Sequence, residues 1–274
     1  MLYVPAAMSF GKVRIVLHRP ANAENLGAVA RAMMNFGLSR LAVVTPPAWG
    51  GAPRGGGDGT AQEDVLKRAA RVARHATILL DRAEFHPDLA AALGPATWVC
   101  GTSSRELPGR PRLSPRQLGE EVARRAGSGE VVLVFGEEQR GLSDSELELC
   151  HAVCTIPTSP DYDSMNLAQS VAVVCYELAC GEGAEAGVER PALGPDGTPL
   201  SPPDPARHAT VEALWARLQG LLSRVGYLNP QNPEQILAEW RRLLTRAEPT
   251  QREVELLLAA VRALERNLAP PSTS

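Results

Sequence analysis

The sequence predicts an α/β fold in which a parallel sheet carries helices on both faces, followed by a small domain of three helices. Three observations lead there. Short apolar runs alternate with helical segments over residues 12–180, a stretch rich in Gly and Pro covers 181–205, and three amphipathic segments follow. Short strands that are apolar throughout, separated by helices, belong to a parallel sheet covered on both sides.

Residues 12–18 (Lys-Val-Arg-Ile-Val-Leu-His) read as the first strand. A helix follows over 23–36, with Leu26, Ala30, Met33 and Met34 at helical spacing and Gly37 as its stop. Residues 41–44 form the next strand, and the Gly/Pro-rich segment 46–60 cannot hold a regular element. Helix and strand then alternate as 62–74 with 77–80, 87–93 with 97–100, 115–126 with 131–135, and 143–149 with 153–156. A helix over 165–180 closes the series, with Leu167, Val171, Val174 and Leu178 on one face. The stretch 181–205 holds five glycines and six prolines without periodicity, so it reads as a linker. In the extension over 206–274, the first helix carries Val211, Leu214, Leu218, Leu221 and Val225. The second opens on Asn232-Pro233, a cap followed by Pro at the first helical position, and the third opens on the capping box Thr250-x-x-Glu253.

A chain of 274 residues with 44% hydrophobic residues can bury an ordinary core of Leu, Val and Ala. Its net charge of −3 excludes a uniformly basic nucleic-acid surface, so any such site must be a local patch. Lys12 and Lys67 are the only lysines; this bias towards arginine reflects genome composition more than function. Five cysteines without dense spacing do not make a disulfide framework. No apolar run reaches membrane-span length, and the first eight residues lack the charged start of a secretory signal. A cytoplasmic protein with reduced thiols and no membrane contact is expected.

Several chemistries fail on their motifs. There is no phosphate-binding G-x-x-x-x-G-K-[ST] and no G-x-S-x-G elbow, and the one Gly-x-Gly after Cys180 lies in the linker. Cys150, His151 and Cys154 have no second cluster to complete a tetrahedral site, so no metal is expected. Three polar segments remain, each just past the carboxyl end of a strand, where open parallel sheets bind ligands. They cover residues 22–31, 133–142 and 156–169. Taken singly, each is equally well read as a loop: Ser164 and Asn166 are ordinary helix caps, and Ser143-x-x-Glu146 is a capping box.

Together, in order and spacing, the three resemble the motifs of the TrmH-like SPOUT methyltransferases. Asn25, Gly27 and Arg31 match N-x-G-x-x-x-R; residues 135–142 (Phe-Gly-Glu-Glu-Gln-Arg-Gly-Leu) match the second motif. Ile156, Pro157, Ser164, Met165, Asn166 and Leu167 match the third, and residues 101–105 resemble a further shared segment. The likeness spans 12–180, and residues 226–234 resemble the helical extension of the TrmJ branch. Three departures stand out: Asp163 where a small residue is common, Met165 in place of leucine, and the Gly-rich loop 49–59.

The resemblance implies a SPOUT domain over 1–180 with a C-terminal trefoil knot, an exception to the near-absence of knots. It implies S-adenosyl-L-methionine as cofactor, held by Thr102, Ser103, Ser104, Gly136, Glu137, Ile156, Asp163, Ser164 and Met165. It implies a homodimer, and tRNA as the substrate, methylated on a ribose 2′-oxygen at position 32 of the anticodon loop. The catalytic residues are Arg31, Ser164 and Asn166. A guanidinium stays protonated, so Arg31 is assigned to grip phosphate and stabilise the developing alkoxide, with the proton leaving through phosphate or water. RNA contacts fall on Asn25, Arg31, Arg105 and Arg140, and in the tail on Arg241, Arg242 and Arg246, which are expected to fan over one open helix side. An rRNA methyltransferase of the same class and a non-catalytic RNA-binding protein are the alternatives; the tail disfavours the first and the intact motif residues the second.

Overall fold

The computed structural model describes residues 10–44, 49, 60–105, 107–162, 164–180, 204–228 and 233–268. They fall into two compact units, one within residues 1–200 and one within 201–274.

The first unit is built on β1 (Val13–His18), β2 (Arg40–Val44), β3 (Glu84–His86), β4 (Trp98–Thr102), β5 (Arg112–Leu113), β6 (Val131–Phe135) and β7 (Ala152–Cys154). All pairings are parallel, in the order β3-β2-β1-β6-β4-β7-β5. The two strands made last therefore enter between strands made earlier: β6 between β1 and β4, and β7 between β4 and β5.

Strand β1 shows why the sheet is covered twice. Its residues are buried from end to end, with Ile15 and Leu17 in the core of one face and Val16 in the core of the other. The first face packs against α1 (Ala23–Asn35), α2 (Thr60–Ala73), α5 (Pro115–Arg125) and α7 (Leu167–Cys180). On the same side lies the short α3 (Thr77–Asp81). The second face packs against α4 (Leu89–Leu93) and α6 (Asp144–Leu147). Helix α1 approaches α2 so closely that a Cβ on Gly27 would lie 2.2 Å from the carbonyl oxygen of Ala69. The motif glycine therefore serves helix packing, whatever its neighbours do.

Two expectations are corrected. Residues 77–80 form helix α3, and the strand of this region is β3, three residues with a glutamate at its start. Thr-Ile-Leu-Leu has strand-like propensity, but Leu79 and Leu80 reach the core from a single helical turn. The two-residue β5 was not expected; Thr155 N and Val153 N tie it to β7 through the carbonyls of Leu113 and Pro111. The segments 50–59 and 181–203 lie outside the described residues.

One buried cation was also unforeseen. Arg14 of β1 is fully buried, with its guanidinium 2.7 Å from Glu84, 2.7 Å from Glu130 and 2.7 Å from the carbonyl of Ala92. Arg40 reaches Glu130 at 2.6 Å, so two arginines share two carboxylates on the edge of the sheet where β1 begins.

The second unit comprises α8 (His208–Arg224), α9 (Pro233–Ala247) and α10 (Gln251–Asn267) around Leu214, Leu221, Leu244, Val254, Leu258 and Val261. Helix α10 opens on the expected capping box, Thr250 with Glu253, whereas Asn232 lies outside the described residues.

Candidate active site

The carboxyl ends of β4, β6 and β7 frame a cleft of about 260 Å³. Its walls hold the hydroxyls of Thr102, Ser103, Ser104, Thr158, Ser164 and Ser170, the turn 136–141, and apolar groups from Phe135, Ile156, Met165 and Leu167. Every proposed cofactor residue that the structure describes lines it: Thr102, Ser103, Ser104, Gly136, Glu137, Ile156, Ser164 and Met165. Asp163 lies outside the described residues.

Backbone hydrogen bonds shape the walls. Ser103 N donates to the carbonyl of Cys154 at 3.0 Å, and Thr155 Oγ1 donates to the carbonyl of Ser103 at 2.9 Å. The turn closes through Gly141 N to the carbonyl of Glu137 at 2.9 Å, with Gly141 at φ +66°. A Cβ at Gly136 would lie 2.2 Å from the carbonyl carbon of Gly141, so no other residue fits this turn without moving it.

Beside the cleft, one carboxylate ties the three motifs together. Glu138 accepts hydrogen bonds from Ala21 N at 2.8 Å, Asn22 N at 3.2 Å and Asn25 Nδ2 at 2.8 Å. Asn25 Oδ1 in turn accepts from Asn166 Nδ2 at 3.0 Å. Asn166 Oδ1 caps α7, accepting from Ala168 N at 2.9 Å and Gln169 N at 3.3 Å. The amide of Asn166 thus both caps a helix and joins the motif frame, which makes it a positioning group. Asn25 likewise uses both ends of its amide in the frame. Glu138 was missed at the sequence level, where Glu137 was named instead. Nothing in a Glu-Glu pair says which member turns inward.

The remaining residues are placed as follows. Ser164 is exposed on the cleft wall. Arg31 lies on α1 six residues beyond Asn25; it is exposed and meets no carboxylate among the described residues. Arg140 is 87% exposed, with Glu137 3.8 Å away. Arg105 is less free: its guanidinium reaches Asp144 at 2.9 Å and donates to the carbonyl of Leu142. In the second unit Arg246 is exposed and Arg242 half-buried, but Arg241 does not share an open face with them. It pairs with Glu212 at 2.5 Å and lies over the Trp215 ring at 5.5 Å, because α8 packs against that side of α9.

Burial pushes the thiols of Cys150, Cys154 and Cys175 up to about 12 and raises Cys100 as well, so these sulfurs act as small apolar groups. Among the described residues no cluster of His, Cys, Asp and Glu is placed to hold a metal ion. None of their helices is long and apolar enough to cross a membrane.

A parallel α/β sheet whose strand ends carry these three linked motifs is the fold of an RNA methylase. Residues 12–176 match the SpoU rRNA Methylase family, and the chain belongs to that family. Residues 209–273 match the C-terminal domain of the tRNA methyltransferase TrmJ. The tRNA (cytidine/uridine-2′-O-)-methyltransferase TrmJ of Cronobacter sakazakii is 33% identical over 255 residues, covering 92% of this chain and 96% of that one. TrmJ of Yersinia enterocolitica is 32% identical, covering 93% and 91%. Among solved structures, TrmJ from Z. mobilis ZM4 superposes with a TM-score of 0.72 at 29% identity, covering 92% and 98% of the two chains. A putative methylase family protein from Neisseria gonorrhoeae gives a TM-score of 0.61 at 32% identity, covering 78% and 98%.

Proposed function

We propose that the protein is an S-adenosylmethionine-dependent tRNA methyltransferase that modifies the ribose 2′-hydroxyl of cytidine or uridine at position 32. The carrying observation is the hydrogen-bonded chain Glu138–Asn25–Asn166, which locks the three motifs beside the cleft and leaves Arg31 exposed on the same helix as Asn25. The relatives matched over nine-tenths of the chain are named for this activity on tRNA cytidine and uridine. In this reading residues 1–180 are the catalytic domain, 181–205 a linker and 206–274 a tRNA-binding extension, working in the cytoplasm.

The cleft suits the cofactor on its own chemistry. Apolar side chains such as Ile156 and Met165 offer faces to a purine, while hydroxyls and the Glu137 carboxylate offer partners for ribose and amino groups. When bound, S-adenosylmethionine supplies a methyl group already activated by its sulfonium. The chain's own task is then alignment and charge. Thr102, Ser103, Ser164 and Met165 hold and orient the ligand, and the Glu138 frame sets the angle of α1 against α7. Arg31 binds the phosphate beside the target ribose and stabilises the oxyanion as its proton leaves to phosphate or water. Asn166 keeps the third motif in place.

The same reading makes the working form a knotted homodimer. Helix α7 is apolar beyond the face it buries: Tyr176 is 53% exposed beside Phe36, and Met34 of α1 is 40% exposed. A helix apolar on both sides belongs in an interior, and a second copy provides one. Incubation with methyl-labelled cofactor and total tRNA, followed by mapping of the modified nucleotide, tests the function. Label in a 2′-O-methylated pyrimidine at position 32 is the expected result; no transfer to any RNA refutes it.

A further inference from the structure

Strand β1 ends at His18, and the residue after it, Arg19, has a φ of +52°. Two other described non-glycine residues stand in the left-handed region, Arg74 and Glu248. Each directly follows a helix, α2 and α9, where that conformation is a routine way to stop. Arg19 follows a strand. The turn requires the conformation: Arg19 N donates to the carbonyl of Val44 at 3.0 Å, Pro20 is buried, and Ala21 N and Asn22 N reach Glu138. Glycine meets such a φ without steric cost, and asparagine has a short polar group that can bond locally. An arginine has a Cβ to crowd and no such group. The backbone therefore does not explain why an arginine stands here.

No partner explains it either. The side chain is exposed, and its guanidinium forms no hydrogen bond or ion pair with any described residue. Glu138, which holds the rest of this turn, gives Oε2 to Ala21 N and Oε1 to Asn22 N and Asn25 Nδ2, and neither oxygen to Arg19. Leu17 pairs with Phe135, so the chain leaves β1 beside the turn 136–141, which lines the cleft and carries the 87% exposed Arg140. Arg31, also exposed, lies on α1, which the Arg19 turn enters. The segments that Glu138 ties together thus carry three exposed arginines. We infer that Arg19 is a further RNA-binding residue, which holds a backbone phosphate of the tRNA beside the cleft. A guanidinium suits that ligand, being planar, always charged and able to bond two phosphate oxygens at once. A strained residue kept in a turn next to a cleft is a place where function, not folding, selects the side chain. The inference rests on the reading of the protein as a tRNA-modifying enzyme.

The strain makes the test discriminating, because fold and function then respond differently to the same change. Wild type, Arg19→Gly and Arg19→Lys are compared by urea unfolding, by calorimetric titration with S-adenosylhomocysteine, and by tRNA binding over a range of salt concentrations. Arg19→Gly should unfold at the wild-type midpoint or a higher one, and should bind S-adenosylhomocysteine as the wild type does. Its tRNA affinity should fall about fivefold or more at about 0.1 M salt, with a salt slope flatter by about 0.7–0.9, the share of one phosphate. Arg19→Lys, which keeps the charge, should keep that slope and most of the affinity. Wild-type affinity and slope in Arg19→Gly overturn the inference, as does a loss in Arg19→Lys as large as in Arg19→Gly. A lower unfolding midpoint or a changed oligomeric state in Arg19→Gly overturns it too, by making Arg19 a structural group. Failure of the wild type to bind any tRNA overturns the functional reading and the inference together.

Discussion

Replacing Glu138 with alanine isolates the motif frame. The substitution removes the acceptor for three donors, Ala21 N, Asn22 N and Asn25 Nδ2. Water can reach the two backbone groups, so each is assigned about 0.5–1 kcal/mol. The half-buried Asn25 amide donates to a charged oxygen and is assigned about 1.5–2 kcal/mol. The expected loss is about 2.5–4 kcal/mol in the first unit, read as a lower midpoint in urea unfolding at unchanged slope. Activity should fall further than stability requires, because Asn25 then no longer holds Asn166. Glu138→Gln, which keeps an acceptor oxygen, should recover part of the stability. A double-mutant cycle with Asn25→Ala should give a coupling of about 1 kcal/mol or more. If Glu138→Ala shifts stability by less than about 0.5 kcal/mol and leaves turnover intact, the carboxylate does not hold the motifs together.

Further outcomes are expected. Arg31→Ala should lower turnover by about 100-fold or more with cofactor affinity unchanged in calorimetry, since the proposed mechanism has the side chain act on RNA and oxyanion. Arg14→Ala should cost about 1–3 kcal/mol, because Glu84, Glu130 and the Ala92 carbonyl lose their buried donor while Arg40 still reaches both carboxylates; unfolding midpoints would read this. At Glu84, burial works to raise the carboxyl, and Arg14, then His86 and Arg40, outweigh it and hold it below its ordinary 4.5. Its contribution to stability is therefore complete above pH 4.5 and is lost as the pH falls through the lower folded value, visible as a declining melting temperature. Native protein treated with iodoacetamide at about pH 8, near the ordinary thiol pKa, should stay unlabelled at Cys100, Cys150, Cys154 and Cys175, as peptide mass mapping would show. In the tail, Arg242→Gln with Arg246→Gln should weaken tRNA binding and flatten its salt dependence, by about one unit of slope for each phosphate no longer neutralised. Arg241→Gln should mainly loosen the α8–α9 packing.

Most of the sheet was legible because its strands are apolar runs with one possible fate, as in residues 131–135. The failures come from segments where tertiary context decides. Residues 77–80 have strand-like side chains but too short a distance to the sheet, and the turn of α3 delivers two leucines at once. Glu-Phe-His at β3 reads as polar because its glutamate serves Arg14, a partner seventy residues away in sequence. The site was legible as loops with family spacing, not as contacts. The ties from Asn25 to Glu138 and Asn166 had no signal in the spacing, and Arg241 looked solvent-facing until α8 supplied Glu212.

The placement of β6 and β7 has a consequence for how the chain leaves the ribosome. Central strands made last mean that β1 and β4, both apolar, emerge with bare edges and cannot complete the sheet until residue 131 and beyond are available. Until then the nascent chain offers unpaired edges of the kind that other chains join. Truncations ending before Val131 should therefore be insoluble or chaperone-bound, whereas those ending after Cys180 should be soluble.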